Sequence, residues 1–394
     1  MKDKKDIIII GFIFIMMFLS AMYDNVRGPF VPTIKNEFNI NNTGIATTLL
    51  VCSLGYMIST YVGGILCEKI GQKRVFVLGF ILIILSPIGI YFSRNFTIYM
   101  MELFLLNMGQ AFIGIAINTI VPIIALSFQA IIMNLTHFSY GVGATFTQRF
   151  TGIMLYEGIT WREIYIIIAI ISAITFLGFL FVRLPELHIS KDSEKIKYKE
   201  IFNNKLIYFY MIALGSYVAA EINTGNWFIN FMYSEYGYNE NRSSVYTALF
   251  FGTFTVGRLL GGFIVEKLGY IKSVLISITI AFILYLAGLI IGEKGIAIIS
   301  ISGLFFAITF PTIVLSISKV FKNNTAYITG LVIAASSFIS MMINLLIGAM
   351  NDYLGVYQSY YIIPICLLLC MIFTYLIQLN TRKILGCNGR GLDE

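Results

Sequence analysis

Carboxylates, arginines and amides stand in runs of sequence that are otherwise apolar. Asp24 and Arg27 lie in the first long apolar run, three residues apart and so on one face of a helix. Glu221 lies in the seventh run, with Asn223, Asn226 and Trp227 close behind it. Charges inside a spanning helix are costly and face a cavity or a partner. A carboxylate so placed can take up and release a proton. A carboxylate–amide–indole set also suits a polar ligand with a ring face, because hydroxyls need paired acceptors and donors while the indole covers the ring's apolar side. The fifth run adds His137, Tyr140, Gln148 and Arg149. Of these, Tyr140 and Arg149 join Arg27, Asn223, Asn226 and Trp227 as candidate substrate contacts, and Asp24 and Glu221 are the candidate proton-coupling groups. Structural alternatives stand beside each. Asp24 and Arg27 can form a permanent ion pair near the outer end of their helix. Glu221, with no cation within a turn in sequence, can be a packing glutamate bonded to an Asn or Tyr of a neighbour. Arg149 can pair with Glu102, and His137 can be a packing histidine. Asn118, Asn134 and Asn344 read as helix glue or cavity lining.

The elements that must hold these groups are announced by a short charged turn between apolar runs, Gly64-Ile65-Leu66-Cys67-Glu68-Lys69-Ile70-Gly71-Gln72-Lys73-Arg74. It recurs as Gly262-Phe263-Ile264-Val265-Glu266-Lys267-Leu268-Gly269, and both glycines move by 198 residues. The same shift sets Glu37-Phe38 on Glu235-Tyr236, Gly63 on Gly261 and Tyr23 on Glu221. Asp24 and Glu221 are therefore near-equivalents in two halves of a duplicated chain, an arrangement in which a transporter holds its site at the repeat interface. Gly64 allows close helix approach, and Gly71 allows the tight reversal. Glu68 needs a partner, either Arg74 or a helix terminus, while Lys73 and Arg74 stay at the anionic inner surface. Gly64, Glu68, Gly71, Lys73, Arg74, Arg258 and Glu266 form the candidate gate. Arg258 is expected to pair with a carboxylate or carbonyl at the second charged turn. The plain alternative is an ordinary basic inside loop.

Composition settles the class. The chain has 394 residues, of which 58% are hydrophobic and 12% charged, against about 25% charged in a soluble domain. This is an integral membrane protein. Alternating strand patterns are absent, which argues against an outer-membrane barrel. The net charge of +7 is carried by Lys and Arg in the short loops that would face the cytoplasm, so no nucleic-acid partner is implied. Five cysteines sit without the neighbours a metal site requires. No nucleotide-binding loop and no enzyme constellation is present, so no cofactor or metal is expected beyond a proton gradient.

Read in order, the chain gives twelve spans with both termini inside. The first helix is expected over residues 6–33 and the tenth over 295–319; residues 123–133 extend the fourth helix or lie at the interface. The division is an N-terminal six-helix bundle over 1–184, a cytoplasmic linker over 185–204, a C-terminal six-helix bundle over 205–380 and a cytoplasmic tail over 381–394. No cleavable signal is evident at the start.

Gly64-x-Leu66-x-Glu68-Lys69-x-Gly71-Gln72-Lys73-Arg74 resembles the loop signature of the major facilitator superfamily, with Glu68-Lys69 where that family usually has Asp-Arg. The resemblance covers the whole chain and implies an all-α membrane protein of two six-helix bundles working by alternating access. A narrower resemblance, to the fucose/proton symporter branch, rests on Pro32 and Phe38, Asn118, Asn134-Leu135 and Gly143-Ala144. Where that branch has an Asp, a Glu and an Asn, this chain has Gly28, Gly114 and Tyr140. The expectation is a secondary active transporter, proton-coupled, moving a sugar or related small polar metabolite across the cell membrane, with lipids as its other partners and a monomeric state. The alternative is proton-driven efflux of amphipathic compounds, with Phe and Met forming an adaptable site and Asp24 driving antiport; a transporter-like receptor or lipid flippase is a third reading.

Overall fold

The computed structural model describes residues 4–40, 42–124, 128–182, 184, 198–238 and 240–385. Among the described residues the regular structure is entirely helical. The first part of the chain forms α1 (Lys4–Asn25), α2 (Arg27–Phe38), α3 (Asn42–Ile70), α4 (Gln72–Phe92), α5 (Phe96–Ile124), α6 (Gln129–Tyr156) and α7 (Trp161–Leu180). A short α8 (Tyr198–Phe202) precedes α9 (Lys205–Tyr236), α10 (Glu240–Leu268), α11 (Tyr270–Ile291), α12 (Ile296–Phe306), α13 (Thr309–Val320), α14 (Thr325–Leu354), α15 (Val356–Tyr360) and α16 (Ile362–Leu385). Ten described stretches are long and apolar enough to cross a bilayer, and one of them, Tyr270–Val320, is 51 residues long and holds two crossings. The 28-residue α6, which lies outside those ten stretches, brings the crossings to twelve.

Proline explains where crossings break. Pro29 has no N–H for the Asn25 carbonyl, and the first crossing parts into α1 and α2 at Val26 instead of running unbroken over 6–33. Pro311 does the same for Ala307, and the tenth crossing divides into α12 and α13. Carbonyls near such breaks need donors inside a membrane. Ser277 donates to the Phe305 carbonyl at 2.8 Å and Tyr217 to that of Phe306 at 2.8 Å. Pro87, inside α4, withholds an N–H from the Ile83 carbonyl, and the Tyr23 hydroxyl donates to it instead at 2.7 Å.

The duplicated turn keeps one backbone shape. Gly71 has φ 83° and ψ 157°, and Gly269 has φ 86° and ψ 156°. Both lie where a side chain would strain the backbone, which is why glycine closes each copy.

The chain divides into two compact units. One comprises Met1–Ser127, Thr136–Lys195 and Asn324–Gly330; the other comprises Phe128–Leu135, Ile196–Asn323 and Leu331–Glu394. The division foreseen from sequence has no counterpart for two short segments, the start of α6 and the start of α14, each of which groups with the other half's helices. Residues 185–197 of the expected linker and 386–394 of the expected tail lie outside the described residues, and α16 continues to Leu385.

Candidate functional site

In the first unit a polar cluster forms at the break after α1. Arg27 Nη2 lies 3.1 Å from Asp24 Oδ1 and donates to Asn107 Oδ1 at 3.2 Å. Tyr140 of α6 donates to Asp24 Oδ2 at 2.8 Å. Gln110 of α5 joins both charges: its amide nitrogen donates to Asp24 Oδ1 at 3.0 Å and its oxygen accepts from Arg27 Nη2 at 3.1 Å, the amide orientation that satisfies both neighbours. Tyr56 of α3 interacts electrostatically with Asp24, and its hydroxyl stands 3.3 Å from where a Cβ at Gly114 would be. The Asp24 side chain is 36% exposed and that of Arg27 17%. The carboxylate is thus bonded on both oxygens yet reachable, in a setting where a lone charge would not be tolerated.

The second unit repeats the theme with other helices. Glu221 Oε1 of α9 lies 3.7 Å from Arg258 Nη2 of α10, with side chains 20% and 10% exposed. The Arg258 guanidinium sits 4.2 Å over the Phe254 ring. Tyr217, one turn before Glu221, interacts with it electrostatically. The Tyr217 hydroxyl has a single hydrogen, and the Phe306 carbonyl at 2.8 Å accepts it. Its oxygen keeps its acceptor capacity. Two turns further along α9, Trp227 Nε1 donates to Asn344 Oδ1 of α14 at 2.8 Å, and Asn226 reaches the same oxygen at 3.5 Å. Gly348 packs beside the indole, where a Cβ would make ordinary van der Waals contact at 3.7 Å.

The charged turns hold helix starts. Glu68 Oε1 accepts from the backbone N–H of Ala326 at 2.7 Å and of Tyr327 at 3.3 Å. These are first-turn amides of α14, which lack intrahelical partners, and the helix dipole favours a carboxylate there. Gly64 packs on the same turn, where a Cβ would come within 2.8 Å of the Ala326 carbonyl and 3.1 Å of Gly330 Cα. The second copy matches. Glu266 Oε1 accepts from the Ala130 N–H at the start of α6 at 2.9 Å, and a Cβ on Gly262 would come within 2.5 Å of Ile131 Cα.

The sequence model of the Major Facilitator Superfamily matches residues 13–326 and, overlapping them, 216–384. The chain belongs to the major facilitator superfamily. A glucose/galactose transporter of Brucella abortus biovar 1 (strain 9-941) is 24% identical over 359 residues, which are 85% of this chain and 86% of that protein. The TsgA homolog of Buchnera aphidicola subsp. Baizongia pistaciae is 22% identical over 309 residues, 78% of either chain. Among solved structures, the E. coli fucose:proton symporter FucP superposes with a TM-score of 0.81 at 18% identity, over 95% of this chain and 99% of that one. At such identities the likeness reaches the fold and stops short of the contacts.

Within this facilitator fold several expected groups find definite places. Asp24, Arg27 and Tyr140 come together in one unit; Asn226 and Trp227 share Asn344 in the other. Asn223 is fully buried, its amide donating to the Ala219 carbonyl four residues back at 2.9 Å, which places it in helix packing and away from an accessible surface. Arg258 reaches back to Glu221 and gives that carboxylate the cation that no neighbour in sequence could supply. Glu68 takes the helix terminus and not Arg74, and Lys73 and Arg74 are exposed. The Arg149 side chain lies outside the described ones. Asn107, Gln110, Tyr56 and Tyr217 escaped the sequence reading. Gln110 and Asn107 carried a signal, as two polar residues three apart on one face of an apolar helix; Tyr217 carried one as the residue a turn before Glu221.

Proposed function

We propose that this superfamily member is a proton-coupled carrier of the cell membrane that takes up a sugar or a related small polar metabolite by alternating access. One observation carries the reading: each half brings a carboxylate, an arginine and a tyrosine together on membrane-spanning helices, Asp24–Arg27–Tyr140 in one and Glu221–Arg258–Tyr217 in the other. The names of the glucose/galactose and fucose:proton relatives point the same way. Asp24 and Glu221 are the groups that bind the proton. Neutralising one lowers the cost of enclosing it in a dry site. For the solute, the first unit offers donors and acceptors at Arg27 and Tyr140, and the second an amide and an aromatic face at Asn226 and Trp227.

Gly64, Glu68, Gly71, Lys73, Arg74 and Glu266 serve the gate: the carboxylates hold the starts of α14 and α6 in one state of the cycle and release them in another. Arg258 acts at the second carboxylate and so belongs with the proton-binding groups. Basic loops set both termini in the cytoplasm. The carrier works as a monomer and needs no bound cofactor.

Purified protein in liposomes, given labelled hexoses and an imposed inward proton gradient, tests the proposal. Uptake above equilibrium, abolished by a protonophore, is expected; Asp24→Asn is expected to lose the gradient response, and Tyr140→Phe to weaken solute binding. Hexose entry indifferent to the gradient, or no hexose entry at all, would overturn it.

A further inference from the structure

The end of α4 and the start of α7 leave a groove of about 520 Å³, lined by Tyr91, Phe92, Ile159, Glu163, Ile166 and Ile167. That volume falls within the range of about 300–1,000 Å³ typical of small-molecule sites. It lies wholly within the first unit, and the transport reading makes no use of it.

Its depth in the bilayer follows from helix lengths. The 20-residue α7 is about 30 Å long at ~1.5 Å per residue, the thickness of the hydrocarbon core. Trp161 therefore marks one boundary. Glu163, two residues on, stands about 3 Å inside it, and Ile166 and Ile167 about 8–9 Å inside. The 21-residue α4 starts at the basic turn and ends at Phe92, so the groove opens on the leaflet opposite Lys73 and Arg74. It thus has a carboxylate just beneath the headgroups and an isoleucine floor at acyl-chain level.

Its wall is aromatic and open. Phe92 is 71% exposed and Tyr91 42%, their rings edge-on at 5.2 Å. Aromatic rings at this level belong to the membrane interface and attract cations. The carboxylate is half committed. Glu163 Oε2 accepts from the Thr160 N–H at 2.7 Å and from the Thr160 hydroxyl at 2.8 Å, closing a capping box. Among the described residues Oε1 has no partner.

We infer that this groove binds a bilayer lipid with a primary-ammonium headgroup, the ammonium donating to Glu163 Oε1 beside Tyr91 and Phe92 and an acyl chain lying on Ile166 and Ile167. Charge complementarity chooses the occupant. An anionic headgroup meets a carboxylate of its own sign, and a quaternary ammonium has no hydrogen to give to Oε1.

The full-length protein in nanodiscs of equimolar phosphatidylethanolamine, phosphatidylcholine and phosphatidylglycerol, with matched chains, provides the test by native mass spectrometry. Phosphatidylethanolamine adducts are expected several-fold above either competitor. Glu163→Gln keeps an acceptor for the capping box and removes the charge, so the preference disappears while the melting temperature holds. Ile167→Trp fills the floor and keeps the charge, and is expected to lower phosphatidylethanolamine retention; it decides the matter if the first variant fails to fold. Equal retention of the three lipids overturns the inference, as does a preference untouched by these substitutions. Phosphatidylcholine held as well as phosphatidylethanolamine overturns the primary-ammonium assignment.

Discussion

Consider the removal of the Glu221 charge. At 3.7 Å from Arg258, two unit charges attract by about 4.5 kcal/mol if the effective dielectric constant is ~20. Dehydrating both offsets much of that, so replacing the whole pair is expected to be near neutral, whereas removing one partner strands the other and costs about 3–5 kcal/mol. Glu221→Gln retains a hydrogen-bonding side chain, which trims the loss to about 2–3 kcal/mol. Arg258→Met strands the carboxylate and should cost as much or more. The double variant should recover most of the loss, giving a coupling of about 2–3 kcal/mol in a double-mutant cycle, measured by denaturant titration of the four purified proteins. Transport separates stability from chemistry. Glu221→Gln in liposomes should still exchange labelled for unlabelled solute, because a neutral side chain permits reorientation of the loaded carrier, but should not accumulate solute on a proton gradient. The double variant should regain stability and remain uncoupled. Losses that add within about 0.5 kcal/mol would show that the pair is not energetically joined. Gradient-driven accumulation by Glu221→Gln would remove Glu221 from proton coupling.

Two further outcomes follow from hydrogen bonds to backbone. Glu68→Ala strips the acceptor from two first-turn amides of α14, worth about 2–3 kcal/mol for a charge-assisted pair at a helix start; a gate held this way should shift its population roughly 30- to 150-fold, read as increased reactivity of an engineered cysteine lining the inner cavity, and unchanged reactivity would count against the gate. Tyr23→Phe leaves the Ile83 carbonyl without the donor that replaces the missing Pro87 N–H, at about 1–3 kcal/mol; in a Pro87→Ala background the restored N–H should erase the loss, and an equal loss in both backgrounds would refute the account.

Much of the architecture was legible because membranes punish ambiguity. Long uncharged runs have one stable reading in a bilayer, so the class and the crossings came from composition and length. The 198-residue repeat was legible because glycine is required at both Gly71 and Gly269, whose φ angles are 83° and 86°. Partners were harder. Arg258 sits 37 positions after Glu221, and a carboxylate's ion pair is chosen by helix packing that no local pattern encodes. The same holds for Glu68, whose acceptors' donors lie at Ala326 and Tyr327. The helix break at Val26 had a visible cause in Pro29; the reading of one unbroken helix weighed apolar length above the missing donor. Asn223 misled because its spacing from Glu221 suggested a shared face, while its amide serves the carbonyl behind it.

The two halves put the same chemistry to work through different residues, and the tyrosines show why. Tyr23 and Glu221 occupy equivalent positions in the repeat, yet Tyr23 is fully buried and donates to a carbonyl that Pro87 leaves open. In the second half the corresponding duty falls to Tyr217, which donates to Phe306 next to the break before Pro311. That releases the position of Glu221 from structural duty. Asp24, one residue past Tyr23, is likewise spared backbone bonding and instead meets Arg27, Gln110 and Tyr140. A carboxylate is useful in a membrane only where its charge can be switched without unravelling a helix. Here the carbonyl freed by Pro87 and those beside the break before Pro311 are served by phenols and a hydroxyl, which do not titrate in the physiological range; in the proposed mechanism the acids are left to respond to the proton. Exchanging the roles, by Tyr217→Glu with Glu221→Tyr, should therefore cost both fold stability and coupling, since the carbonyl's donor would then ionise with pH.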